Sequence, residues 1–329
     1  MKAAWFESFG SARDAIQQGE LELPDPARGE ILVKLETSGV NPSDVKKRSG
    51  SMPGLLDQGA IVPHSDGAGV IESVGEGVAA LAPGQRVWVY QAQHGRRMGT
   101  AAEYVCLDES RVVPLPDEAS FEEGACLGIP AMTAHRCVMA DGPVREKTIL
   151  VTGGAGRVGF YAIQWAVAGG ARVVATASND ADKKACLQAG ASAVVNHRAE
   201  AWAVQALEAN GGRKFERVID VEFGKNLEQV LDLIKVSGTI ATYSSSQDMQ
   251  PVLPFYRMMF LDLTLRLVIV YDMPERAKRE AISDITDALE TGHLKHRVAR
   301  VFPFAELVEA HELIEQGGVR GCVLVKTSS

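Results

Sequence analysis

Between residues 148 and 168 the chain reads TILVTGGAGRVGFYAIQWAVA: an apolar run of strand length, four glycines within VTGGAGRVG (151–159), then a helical stretch with little polar surface. Few architectures accept that order. A helix apolar on most of its surface must lie against a sheet. The pattern also repeats, because strand-like ARVVATAS (171–178), SAVVNH (192–197), FERVIDVE (215–222) and GTIATYS (238–244) alternate with helical DADKKACLQAG, AWAVQALEANG and NLEQVLDLIKV. Such alternation specifies an α/β fold with a parallel, doubly wound sheet of the Rossmann type.

Within GAGRVG the glycines fall at 154, 156 and 159, directly after a strand and at the start of a helix. Gly154 permits the tight turn, Gly156 lets the backbone approach a pyrophosphate, and Gly159 lets helix and strand pack closely. The helix N-terminus adds free amides and partial positive charge. The Arg157 amide faces the pyrophosphate, while its side chain either lies over the phosphates or reaches solvent. An acid that would bind ribose hydroxyls is expected about 20 residues on. Ala177 and Ser178 stand there instead, followed by Lys183 and Lys184. A neutral hydroxyl accommodates a 2′-phosphate that a carboxylate would repel, so the pattern favours NADPH. The lysines either neutralise that phosphate or form a solvated helix face.

Ahead of this region, to about residue 120, short apolar runs alternate with Gly and Pro (ILVKLETSGV, GAGVIESVGEGV, GQRVWVY, AAEYVCLD), as in a β-rich barrel or sandwich. A chain of 329 residues exceeds one typical core, and the texture changes near 122. The tail, FPFAELVEAHELIEQGGVRGCVLVKTSS, carries an amphipathic helix and a short strand, expected to fold back onto the β-rich part. LVIVY near 267–271 reads as a buried strand, and the longer run 263–271 serves either as a core strand or as an edge that joins two chains.

Net charge −8 disfavours nucleic acid as a partner. Five widely spaced cysteines give neither a disulfide framework nor a metal ladder, and the seven histidines form no HExxH or HxH pattern. No signal peptide or apolar membrane span is legible, so a cytoplasmic protein that does not associate with membranes is expected.

SGVNPSDVKKRSG (38–50), DGAGVIESVGEGV (66–78) with PGQRVWVY, LGIPAMTAHRCV (127–138), VTGGAGRVGFYAIQWA, LQAGASAVVNHR (187–198) and AHELIEQGGVRGCVLV occur in order along nearly the whole chain. Together they resemble the zinc-free quinone oxidoreductases similar to zeta-crystallin, within the medium-chain dehydrogenase/reductase superfamily. The resemblance implies a GroES-like β-rich catalytic domain, 1–122 completed by 268–329, and a Rossmann NADP-binding domain, 123–267. It explains the missing metal: where zinc relatives carry a cysteine and Gly-His-Glu, this chain has Asn41 and His64, Ser65, Asp66.

The resemblance also implies cofactor contacts at Asn41, Thr133, the turn Gly154, Ala155, Gly156, Arg157 and Val158, then Ser178, Lys183 or Lys184, His197, Ser244 and Tyr271. Asn41 is expected to orient nicotinamide or acceptor. Lys46 replaces a tyrosine common in relatives and is the candidate electrostatic aid; Met52 replaces another. The implied activity is zinc-independent hydride transfer from NADPH to a quinone, with water able to supply the proton. Reduction of α,β-unsaturated aldehydes or ketones is the enzymatic alternative, and a cofactor-binding structural or sensing protein is the alternative of another class. Relatives imply a homodimer.

Overall fold

Every residue of strand β1 (Thr148–Val151) is buried, as its unbroken apolar run requires of a strand covered on both faces. Five more strands flank it: β2 (Arg172–Ala177), β3 (Ala193–Asn196), β4 (Phe215–Asp220), β5 (Ile234–Thr242) and β6 (Thr264–Leu267). The sheet order is β3-β2-β1-β4-β5-β6 and every pairing is parallel. Helices α1 (Arg157–Ala168) and α2 (Asp180–Gln188) make the first two crossovers. The order reverses between β1 and β4, so the crevice at the carboxyl ends of those strands is where a sheet of this kind binds ligand. Below it the core joins Leu150, Val174, Phe215, Val218, Leu231 and Ile240.

The computed structural model describes residues 1–328. The chain divides into two compact units, one of residues 1–129 with those from 282 onward, the other of residues 130–281. Sequence texture set the first junction near 122, and the family resemblance set the second between 267 and 268. Residues 123–129 join the first unit, where Asp66 binds the Ile129 amide; Val268 stays with the second, donating to the Thr242 carbonyl.

The run LVIVY is not a buried strand. β6 ends at Leu267, and Leu267 and Ile269 are 71% and 55% exposed. The reason is topological: β6 is the last strand of its sheet and has no neighbour on its outer side. Arg266 is held there by two bonds to Asp141, at 2.6 and 2.5 Å.

In the first unit the tail strand Cys322–Lys326 pairs antiparallel with Glu30–Val40, with Val323 opposite Val40, and parallel with Val298–Phe302. The tail therefore completes the N-terminal sheet, as its amphipathic texture suggested. The helix Leu307–Glu315 docks through a buried polar chain. Thr100 Oγ1 donates to the Asp66 carbonyl at 2.6 Å, which spends its only proton. Ser38 Oγ, 2.7 Å away, must then donate to Thr100, and His64 Nδ1 must donate to Ser38 at 2.8 Å. His64 Nε2 is left to accept from His311 Nε2 at 2.9 Å. One hydroxyl thus dictates the tautomers of two imidazoles. His64 also sits at φ 73°, a left-handed conformation that is costly for a side chain of this size and is held here by bonds at both ring nitrogens.

Burial pushes His64 down to about 3 and His311 well below its ordinary value, with His64 and Arg48 adding repulsion at His311. Both rings are neutral in the fold and charge on unfolding, so stability falls as pH drops below 6.5. Each ring contributes about 1.4 kcal/mol per pH unit until its folded value is reached. His311→Leu should lower stability at pH 7 yet flatten the decline between pH 6.5 and 4.5, measured by urea unfolding at each pH. Parallel curves for the two proteins would refute the assignment.

Candidate functional site

Each unit carries one cluster of the expected residues. In the second unit, Gly153 at φ 59° starts the turn, and its amide donates to Thr176 Oγ1 at 2.9 Å while that of Gly154 donates to the Thr176 carbonyl at 2.9 Å. The turn is thereby fastened to β2. A Cβ on Gly154 would stand 2.9 Å from Ala175 Cβ, and one on Gly159 would stand 2.4 Å from the Gly153 carbonyl oxygen. Gly156 is the N-cap of α1, and no side chain caps that helix. Ala155 is buried; Arg157 and Val158 begin the helix half-buried. The concave backbone, the uncapped helix start and its dipole fit a dinucleotide pyrophosphate.

Register brings the next residues alongside. Asn196 pairs with Ala177, and the His197 amide donates to the Ala177 carbonyl at 3.3 Å, so Ser178 and His197 follow adjacent strand ends. Ser178 is half-buried, whereas Lys183, Lys184 and His197 are exposed. Asn179 caps α2 by accepting from the Asp182 amide at 2.8 Å and holds that carboxylate with its own amide, also at 2.8 Å. Across the switch point, Thr152 Oγ1 donates to Asp220 and Asn226 Nδ2 does the same at 2.8 Å. Burial pushes the Asp220 carboxyl above its ordinary value. Ser244, beyond β5, accepts from the Phe223 amide at 3.0 Å. Thr133 is buried in the helix Met132–Met139, and Tyr271 is buried in the segment after β6.

In the first unit Asn41 is the N-cap of the helix Pro42–Arg48, with Pro42 at its first position. Its backbone N–H donates to Asp44 at 2.8 Å. Its side-chain Nδ2 donates to Asp66 at 2.8 Å, and the Ile129 amide reaches the same carboxylate at 2.9 and 3.0 Å. These bonds fix the orientation of the Asn41 amide group. Asp66 is fully buried, which raises its carboxyl to about 8 against the opposing pull of the Ile129 and Asn41 bonds.

Lys46 lies on the exposed side of the helix, whereas Asp44, Lys47 and Arg48 form its buried side. Lys47 Nζ donates to Gln93 Oε1 at 2.6 Å. Reading the residues singly passed over Lys47, although the spacing 44, 47, 48 marks one helix face. The placement of Asp66 and Asp220 follows from strand pairing and has no local motif.

Residues 27–117 match the family model of the alcohol dehydrogenase GroES-like domain, and residues 158–287 that of the zinc-binding dehydrogenases. The quinone oxidoreductase of Pongo abelii is 30% identical over 320 residues, covering 96% of this chain and 94% of the relative. The chain belongs to the quinone oxidoreductase family of the medium-chain dehydrogenases/reductases. Among solved structures, an Escherichia coli quinone oxidoreductase complexed with NADPH shares 25% identity, covers 99% of this chain and all of its own, and gives a TM-score of 0.87. An NAD-dependent alcohol dehydrogenase gives 0.89 at 27% identity, with both chains fully covered. The quinone oxidoreductase family is one of oxidoreductases that use a nicotinamide cofactor. Among the described residues no group of three or more His, Cys, Asp or Glu is arranged to hold a metal ion.

A folded value near 8 for Asp66 means that the folded chain keeps a proton that the unfolded chain releases above pH 4. Stability from this group is therefore present at low pH and lost as pH rises to about 8, at about 1.4 kcal/mol per unit. Asp66→Asn should gain stability relative to the parent as pH rises from 5 to 8 in chemical denaturation. A constant difference across that range would show Asp66 to be ionised throughout.

Proposed function

We propose that this protein is an NADPH-dependent quinone reductase that works without zinc. The observation that carries the reading is the end of β2, where Ala177 and Ser178 carry no carboxylate, exposed His197 follows the adjacent strand and exposed Lys183 lies in the first turn of α2. The full-length likeness to relatives named quinone oxidoreductase, and to one described with NADPH, supports the same reading.

In this proposal the turn from Gly154 to Val158 holds the pyrophosphate. Ser178 receives the 2′-phosphate with Lys183 or Lys184, and Arg198 adds charge beside His197. Thr133, Ser244 and Tyr271 line the remainder of the dinucleotide. Asn41, oriented by Asp66, presents its amide to nicotinamide or acceptor, and Lys46 lends positive charge to the acceptor oxygen. When bound, the reduced nicotinamide supplies a hydride, so that quinone, hydride and one proton from water give the hydroquinone. The chain's contribution is orientation and electrostatics. Steady-state rates with NADPH should favour a benzoquinone or naphthoquinone over a short enone.

A carboxylate at 178 would repel the 2′-phosphate. Ser178→Asp should raise the dissociation constant for NADPH about tenfold or more beyond any change for NADH, in fluorescence titration. An equal change for both cofactors would move the 2′-phosphate elsewhere.

The proposal extends to a homodimer of a cytoplasmic enzyme. All five cysteines are unbridged, and no helix among the described residues is long and apolar enough to cross a membrane. The short helix Phe255–Phe260 exposes Phe255, Tyr256 and Phe260, while exposed Leu267 ends the unpaired β6 edge and exposed Ile269 lies just beyond it. An apolar surface around an open edge needs a cover. Phe260→Lys combined with Leu267→Lys should convert a dimer into a monomer in sedimentation velocity; a parent chain that sediments as a monomer would overturn this.

A further inference from the structure

The glycine turn of the second unit is suspended between two strands, and the two suspensions differ. On the β2 side, Thr176 accepts the Gly153 and Gly154 amides through its hydroxyl and its carbonyl. On the β4 side the tether is Thr152, the residue just before the turn, bonded to three consecutive residues. Its amide donates to the Ile219 carbonyl at 2.9 Å, its hydroxyl donates to Asp220 Oδ1, and that hydroxyl accepts from the Val221 amide at 3.0 Å. Close packing reinforces the join, since a Cβ on Gly153 would stand 2.8 Å from Val221 Cγ1. The Gly153 carbonyl in turn accepts from the amide of Gly156, the N-cap of α1, at 2.8 Å. Where Thr152 is placed, the start of the helix follows.

Asp220 decides the direction of the Thr152 hydroxyl. A threonine has one hydroxyl proton to give, and here it goes to the carboxylate, which leaves the lone pairs for Val221. Asp220 is itself held: Asn226 Nδ2, from the helix Phe223–Leu233, donates to the same Oδ1 at 2.8 Å, and the Glu222 amide approaches it at 3.4 Å. These bonds gather on one oxygen, while Oδ2 is buried without a hydrogen-bond partner. Both Asp220 and Thr152 are buried. A carboxylate so enclosed does not touch a bound phosphate; it acts through the groups that it orients.

We propose that Asp220, acting through Thr152, is the positioning residue that sets the aperture of the glycine turn for a dinucleotide pyrophosphate. The proposal rests on the pyrophosphate reading of the turn, but not on the identity of the acceptor. Without the Thr152 hydroxyl, the Val221 amide and the Asp220 oxygen each lose a buried partner, and relieving that loss moves the β4 side of the turn. The β2 side stays fastened to Thr176, so the turn tilts and its amides no longer converge on one anion.

The test is fluorescence titration of NADPH and of NADH, which share the pyrophosphate, on the parent, Thr152→Val, Asp220→Ala and the double variant, with folding checked by circular dichroism. Each single variant should raise both dissociation constants about tenfold, the size expected from loss of one buried hydrogen-bond partner. The double variant should bind no more weakly than the weaker single variant. Thr152→Ser, which keeps the hydroxyl, and Asp220→Asn, which keeps the accepting oxygen, should recover most of the loss. Burial already holds the Asp220 carboxyl above its ordinary value, so a neutral amide is the conservative replacement. In steady state with 1,4-naphthoquinone, the cofactor KM of Thr152→Val should rise by the same factor while kcat holds, a split that general destabilisation would not produce. Unchanged dissociation constants in folded Thr152→Val, losses that add in the double variant, or a loss confined to NADPH each overturn the proposal and leave the pyrophosphate reading in place. A folded parent that binds neither cofactor overturns that reading and the proposal with it.

Discussion

The second unit depends on one close approach: α1 lies so near the end of β1 that a Cβ on Gly159 would sit 2.4 Å from the Gly153 carbonyl oxygen. That contact brings an uncapped helix start to the sheet edge where strand order reverses. Larger residues at 154 or 159 would push the helix away from the strand and the amides away from any phosphate. The bonds from Gly153 and Gly154 to Thr176 then tie the turn to β2, which delivers Ser178 beside it. A packing constraint and a binding surface are here the same few atoms.

The first unit has a different organising device. Asn41 and Ser65 carry neutral side chains that are poor ligands for zinc. The surroundings have become a hydrogen-bonded lattice in which Asn41 and Ile129 converge on the Asp66 carboxylate, while the Asp66 carbonyl terminates the Thr100, Ser38, His64, His311 chain. Asp66 therefore belongs to two networks at once, its side chain facing the candidate site and its backbone facing the tail helix. Their pH dependences run in opposite senses, since burial favours a neutral carboxylic acid at Asp66 and neutral imidazoles at His64 and His311.

What the sequence could reveal was whatever repeats locally. β1 to β4 and the helices between them were legible to within a few residues because apolar period and glycine punctuation are properties of neighbours in the chain. β5 begins four residues earlier than the run GTIATYS suggested, since Ile234 already pairs with Phe215 ahead of a register shift. LVIVY was misread because composition reports apolarity but not whether a strand has a neighbour on both sides. The His64–His311 pair spans 247 residues and has no local signature at all. Lys46 and Lys47 show the finer limit: both are lysines in one motif, and only the helix phase decides which is buried.

That helix phase also links the candidate site to the rest of its unit. The helix Pro42–Arg48 starts at Asn41, whose amide orientation is fixed by Asp66; one turn on, Lys47 reaches Gln93. Next to it the buried Arg48 binds the Gly10 carbonyl and Glu315 at the end of the tail helix. Seven residues thus join the cap, Gln93 and the C-terminal segment, and on the helix side the joining residues Asn41, Lys47 and Arg48 are all buried. Removing one partner would leave a buried charge uncompensated, which costs more than the net gain from the pair itself. Such a helix resists rotation about its axis, because turning Lys46 inward would expose Lys47 and detach Arg48 together. The arrangement keeps Asn41 and Lys47 in fixed relation within the first unit.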